Sequence, residues 1–311
     1  MFFFLLACSE SPDLSPCPET GVWDLATGTE HASIQDALTD GVEEICLGPG
    51  RYELGCEQLI GPAFSILGSG SKVTELDRPQ ACEKALLLDQ PGTYRFSMLS
   101  LTTANMTFSA ESGALELDQV IFRNLQEEDG HFTVKVPVYG HRIQVRNSVL
   151  GNHTLNFVGG GEIVGLWLHD LRVHEDRARI RLQDLSLERL RVERVGLRNP
   201  EKRDSLGFQL QDCSLQDVLV GDSEYVFFSA GGDTTLRNVE FRLEEDQAAY
   251  ISVHEKVWLY DSSLGHGTVE MYGDSELFSE NLLFDDPLAC NIACESRCMP
   301  EWDYVYCVAG P

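Results

Sequence analysis

Three arginines at alternate positions, Arg177, Arg179 and Arg181, are the residues whose type and spacing point most directly to chemistry. In an extended segment, side chains of period two share one face, so the three guanidinium groups would form a comb. Such a comb can grip the carboxylate or sulfate groups of an acidic glycan through paired hydrogen bonds. It lies in residues 170–204, which hold ten of the chain's 23 Lys and Arg against eight Asp and Glu. The chain as a whole is strongly acidic, with 50 Asp and Glu in 311 residues and a formal net charge of −27. The competing reading is a solvated face balanced by Glu175, Asp176 and Glu188, because most exposed ion pairs contribute little.

Acid–base chemistry would need an imidazole or paired carboxylates. Gly265-His266-Gly267 is similar to the Gly-His-Gly of the polygalacturonase family, which hydrolyses with carboxylates arrayed as acid and base. That family's Asn-Thr-Asp motif is absent here, and Asp285-Asp286 follows the histidine instead of preceding it. His266 is therefore read as one of a column of polar turn residues with Asn124, Asn152, Glu175, Asn199, Asp217 and Asp286. Glu224-Tyr225-Val226-Phe227-Phe228 resembles the Asp-Phe-Ile-Phe-Gly strand of pectin methylesterases, but with glutamate at the nucleophile and no partner arginine and second aspartate. It reads better as an aromatic core strand. No catalytic residue, cofactor or metal site is assigned.

The ten cysteines set the compartment. Cys17, Cys46, Cys56 and Cys82 lie near the start, while Cys290, Cys294, Cys298 and Cys307 crowd the end. Terminal clusters of this kind imply disulfide staples made in an oxidising compartment, and each set of four allows three connectivities. The last four are spaced too widely for the usual paired ligands of structural zinc. Cys213 alone occupies the long middle and is expected to be a buried free thiol. At the amino end, Leu5-Leu6-Ala7-Cys8 closes an apolar run and resembles the lipobox of bacterial lipoproteins. The resemblance implies cleavage before Cys8, lipidation of its thiol and a place in the cell envelope, with Ser9 compatible with the outer membrane. The net charge opposes nucleic acid as a partner, and the membrane is expected to be touched only through the anchor.

An internal repeat must position these groups. The octads Leu115–Phe122, Ile143–Leu150, Leu166–Val173, Phe208–Leu215, Thr234–Phe241 and Val257–Leu264 share apolar residues at their first, third and eighth places almost throughout. Their fifth places are Gln119, Asn147, Asp170, Asp212, Asn238 and Asp261, and Leu277–Phe284 continues the frame with Asn281. Leu190–Leu197 also fits, with Arg194, and Ile180–Leu187 matches equally well. Successive fifth places average about 23 residues apart, within the range of solenoid repeats. Each octad reads as a short strand with alternate residues inward, then a bend, then another inward residue. Asn and Asp suit the bend because they tolerate turn backbone, and stacked side chains could form a ladder. One coil cannot bury its apolar face alone. About ten coils at ~4.8 Å would build a rod of roughly 50 Å.

Ser33 can cap a short helix whose Ile34, Ala37 and Leu38 share a face, followed by the strand Glu44–Leu47 and the turn Gly48-Pro49-Gly50-Arg51-Tyr52. This order resembles the amino-terminal cap and first coil of pectate-lyase-like β-helix proteins, and Phe64–Gly70 resembles their next coil. The resemblance implies an all-β, right-handed parallel β-helix. A leucine-rich repeat shares the period but has no place for Pro-Gly-x-Tyr. The expected organisation is a signal peptide over 1–8, a tether over 9–30, the solenoid over 31–285 and a cysteine-rich cap over 286–311. Two functions are open: an envelope module that binds glycan or an envelope protein, and a lyase or hydrolase of acidic polysaccharide. The second should place several carboxylates on adjacent coils of one outer face.

Overall fold

The computed structural model describes Cys17 and residues 20–55, 62–71, 73–77, 86–102, 106–109, 113–123, 131–150, 154–173, 178–197, 206–244, 247–265, 267–271 and 275–283, with the backbone of 292–293, 299–301 and 304–308. Among the described residues the repeat winds into a β-solenoid of two sheets, one of 19 strands and one of ten. Apart from pairings at the two ends, neighbouring strands run parallel, coil upon coil. The chain is an all-β parallel β-helix. The regular solenoid makes about 7 turns rather than the ten expected. The second sheet still reaches ten strands because short ones at its ends, such as Leu86–Leu88 and Ile292–Ala293, extend it.

Alternation selects the core. Leu166, Leu190, Val218 and Val239 stack in one register column, each at most 2% exposed. Aromatic rings run along the axis inside: Phe108 and Phe122 both contact Phe132, which contacts Phe157. Further on, Phe208 lies flat on Phe228, with centroids 4.7 Å apart. Cys213 is buried and unpaired, and burial pushes its thiol above the ordinary range.

The amino-terminal end matches the sequence reading in its helix and differs in its extent. Ser33 Oγ accepts the Asp36 N–H at 3.1 Å and caps the helix Ile34–Thr39, whose Ile34, Ala37 and Leu38 are buried. The tether expected over 9–30 ends sooner. Val22–Asp24 pairs antiparallel with Glu44–Leu47, and Cys17 is bonded to Cys46. Val22, 4% exposed, gives this segment an apolar anchor that a tether would lack. At the other end, Tyr304–Val308 lies antiparallel on Glu276–Leu283, so the cap contributes a reversed strand to the first sheet. Residues 1–16, with Cys8, and Cys56, Cys82, Cys290, Cys294 and Cys298 lie outside the described residues.

The expected single ladder divides into three columns. Asp217, Asn238, Asp261 and Asn281 share one bend, continuous with Gln119 and Arg142. Asn147 and Asp170 share a second with Arg194 and Asp222. Asp212 stands at a third with Asp184 and Gly232. Asp217 thus belongs with Asn238, not with a separate column of turn residues. The physical cause is that every corner of a coil needs the same pattern, two inward residues, a bend and another inward residue. One frame therefore matches several corners. Ile180–Leu187 and Leu190–Leu197 are different corners of a single coil, centred on Asp184 and Arg194, with the bend at Arg189 between them.

The chemistry of the bends is as expected. Asp170, Asp212, Asn238, Asp261 and Asn281 all have φ between 50° and 55°, in the left-handed region where Asn and Asp are enriched. Rungs form within the first column: Asn238 Nδ2 donates to Asp217 Oδ1 at 2.6 Å and Asn281 Nδ2 to Asp261 Oδ1 at 2.8 Å.

Candidate functional site

Two strand rows on the outer face of the first sheet converge on an open groove of about 440 Å³. Because Tyr94, Phe96, Leu115, Leu117 and Val138 point inward, their alternate neighbours must face out. In-register pairing then stacks Arg95, Glu116, Tyr139 and Glu162 in one row and Ser97, Asp118, His141 and Val164 in the next. The Arg95 guanidinium holds Glu116 Oε2 at 2.5 Å. His141 Nδ1 lies 2.9 Å from Asp118 Oδ1. Tyr139 is 52% exposed, the barest of the large apolar side chains among the described residues.

This arrangement has the parts that hold a sugar. An exposed ring offers a flat apolar face with a polar tip, and convergent carboxylates, a guanidinium and an imidazole supply directional hydrogen bonds. Proton transfer is less well served. A glycosidase needs one carboxyl shielded enough to keep its proton at neutral pH. Asp118 is 46% exposed and Glu116 35%, and each already has a partner. Among the described residues, no three His, Cys, Asp or Glu side chains are grouped so as to hold a metal ion.

The second sheet has a smaller groove of about 340 Å³ on its own outer face. Arg181, Gln209 and Ser229 stack there in register, beside Gln183, Gln211 and Gly231, with His254 and Glu255 at the rim. Arg179 occupies the adjoining outward row with Gly207, Phe227 and Tyr250. The expected comb is thus present in two of its teeth, since Ile180 and Leu182 point inward between exposed Arg179 and Arg181. Arg177 lies outside the described residues, as do His266, Asn124, Asn152, Glu175, Asn199 and Asp286. Tyr225–Gly231, which follows Glu224, is a core strand with Val226 and Phe228 buried, as its aromatic composition suggested.

The first-sheet groove was not picked out from the sequence. Glu116 and Asp118 are the second and fourth residues of an octad, so their outward direction was legible. Tyr139 and His141 precede the octad Ile143–Leu150, whose frame had fallen on the following corner. Only the register of stacked coils brings the four together.

No protein-family model matches the chain, and no curated protein matches it. Among solved structures, the chain is similar to the catalytic domain of a GH87 alpha-1,3-glucanase variant in complex with tetrasaccharides. Identity is 11%, the TM-score is 0.32, and the match covers 91% of this chain and 70% of that one.

Proposed function

We propose that the protein is an exported module of the bacterial cell envelope, lipid-anchored through Cys8, whose β-helix binds glycan in the first-sheet groove. The observation that carries the binding role is Tyr139, 52% exposed, standing in register between Glu116 and Glu162 beside the Asp118–His141 pair. The Cys17–Cys46 bond supports passage through an oxidising compartment.

Titration calorimetry against a panel of neutral oligosaccharides tests the groove. Tyr139→Ala should weaken binding by about tenfold or more, the equivalent of ~1.4 kcal/mol. Equal affinity of the variant for every bound sugar removes the groove from the site. If instead the sugars are cleaved, and Asp118→Asn stops cleavage while leaving binding, a hydrolase replaces the binding module. Fatty-acid labelling that persists in Cys8→Ser would remove the anchor.

A further inference from the structure

We infer that the second-sheet groove is a separate subsite for an anionic group, carboxylate or sulfate, carried on a saccharide; the saccharide part rests on the glycan reading above. The first support is an accounting of charge. Arg95, Arg194 and Arg242 each hold a carboxylate oxygen at 2.5–2.6 Å, and Arg51 is paired with Asp77. Arg181 has no such partner among the described residues. Its Nε and Nη2 donate only to the neutral Gln209 Oε1, at 3.3 and 3.2 Å. In a chain of net charge −27, Arg181 faces a groove whose carboxylate, Glu255, is bonded to the Gly232 N–H and not to the guanidinium.

The nearby acids are committed elsewhere. Asp212 accepts the Asp233 N–H at 2.9 Å and Gln211 Nε2 at 3.1 Å, and Glu255 accepts the Gly232 N–H at 2.7 Å. Each is held at the corner by backbone and is not turned onto the guanidinium. Gln209 occupies the Nε edge and orients the guanidinium, so an incoming anion meets the end formed by Nη1 and Nη2, which can also give two parallel bonds.

The shape of the groove suits a ring bearing that anion. Gly231 leaves its floor open, since a Cβ there would lie 2.9 Å from Gln211 Oε1. Ser229 and the Gln209 and Gln211 amides offer partners for hydroxyls. In the adjoining row the buried Gly207 lies in register between Arg179 and Phe227. Beyond it, Tyr250 packs against Tyr225 with ring centroids 5.0 Å apart.

The test is nuclear magnetic resonance and calorimetry on the full chain with four probes: a uronate oligosaccharide, a sulfated oligosaccharide, their neutral counterpart and inorganic sulfate. At least one charged oligosaccharide should bind more tightly than the neutral one, and inorganic sulfate should shift the amides of Arg181 and Ser229. Arg181→Gln, which keeps a polar amide but removes the charge and the guanidinium fork, should weaken the charged ligand by about tenfold or more. It should leave any neutral binding at Tyr139 unchanged, while Tyr139→Ala should leave the sulfate shifts unchanged. Preference for uronate or for the sulfated sugar identifies the anion. Unchanged charged-ligand affinity in Arg181→Gln, or equal affinity for charged and neutral sugars, overturns the inference. Loss of neutral binding alone overturns the first-sheet reading and leaves this one standing.

Discussion

Arg194 forks Asp170 across one coil step, with Nε 2.6 Å from Oδ1 and Nη2 3.0 Å from Oδ2. Both residues sit at the second bend with φ of 54°, so the ion pair is a rung between corners rather than a contact between strands. His169, stacked on Trp167, adds Nδ1 to the same carboxylate at 2.9 Å. The Arg194 hydrogen bonds, and then that of His169, hold the Asp170 carboxyl well below the usual carboxylate range.

The sign of the pH dependence follows. A carboxyl with a depressed folded-state value stabilises the fold at pH above its unfolded value, ~3.9, and stops doing so as pH falls through the folded value. Asp170→Asn keeps tolerance of the left-handed backbone and removes the charge. Urea midpoints of the variant should be lower than those of the parent at pH 7, and the gap should narrow below about pH 4. A gap that persists unchanged in acid would assign the effect to packing.

Asn238 tests the bend itself. Its φ is 53°, and the third bend places Gly232 at 59°. Asn238→Gly and Asn238→Val both lose the hydrogen bond to Asp217, so their difference isolates the backbone. The valine variant should be less stable than the glycine variant by about 1–2 kcal/mol, the cost of a left-handed conformation for a residue with a Cβ. Equal unfolding midpoints would mean that the corner relaxes.

The Cys17–Cys46 bond closes a loop with a sequence separation of 29 residues and ties the segment before the helix to the first coil. Chain-entropy reasoning assigns such a loop about 3–4 kcal/mol. Cys17→Ser should lower unfolding stability by that order, read from denaturant titration. A variant of parental stability would show that the pairing of Val22–Asp24 suffices.

What could be read from the sequence was set by what each signal encodes. The helix cap at Ser33, the strand at Glu44–Leu47, the buried thiol of Cys213 and the inward octad residues all rest on local rules, and the structure shows each of them. The one ladder became three because a local pattern cannot say which corner of a coil it belongs to. Asp170, Asp212 and Asn238 carry the same frame at different corners. The outer grooves depend on which coil lies over which, and loops of unequal length hide that register. Arg179 and Arg181 could be paired on one strand from their alternation, whereas Arg95, Glu116, Tyr139 and Glu162 could not, because each comes from a different coil.

Near each pole of the first sheet a strand is reversed: Val22–Asp24 against Glu44–Leu47, and Tyr304–Val308 against Glu276–Leu283. A stack of like-directed strands could in principle go on recruiting further copies, as cross-β fibrils do. A reversal next to each pole, followed outward by Glu30–His31 at one end and Met299–Glu301 at the other, breaks the translational match that another rod would have to continue. Among the described residues, each pole of the first sheet therefore finishes on a strand of two or three residues beyond a reversal, not on a copy of the repeating coil.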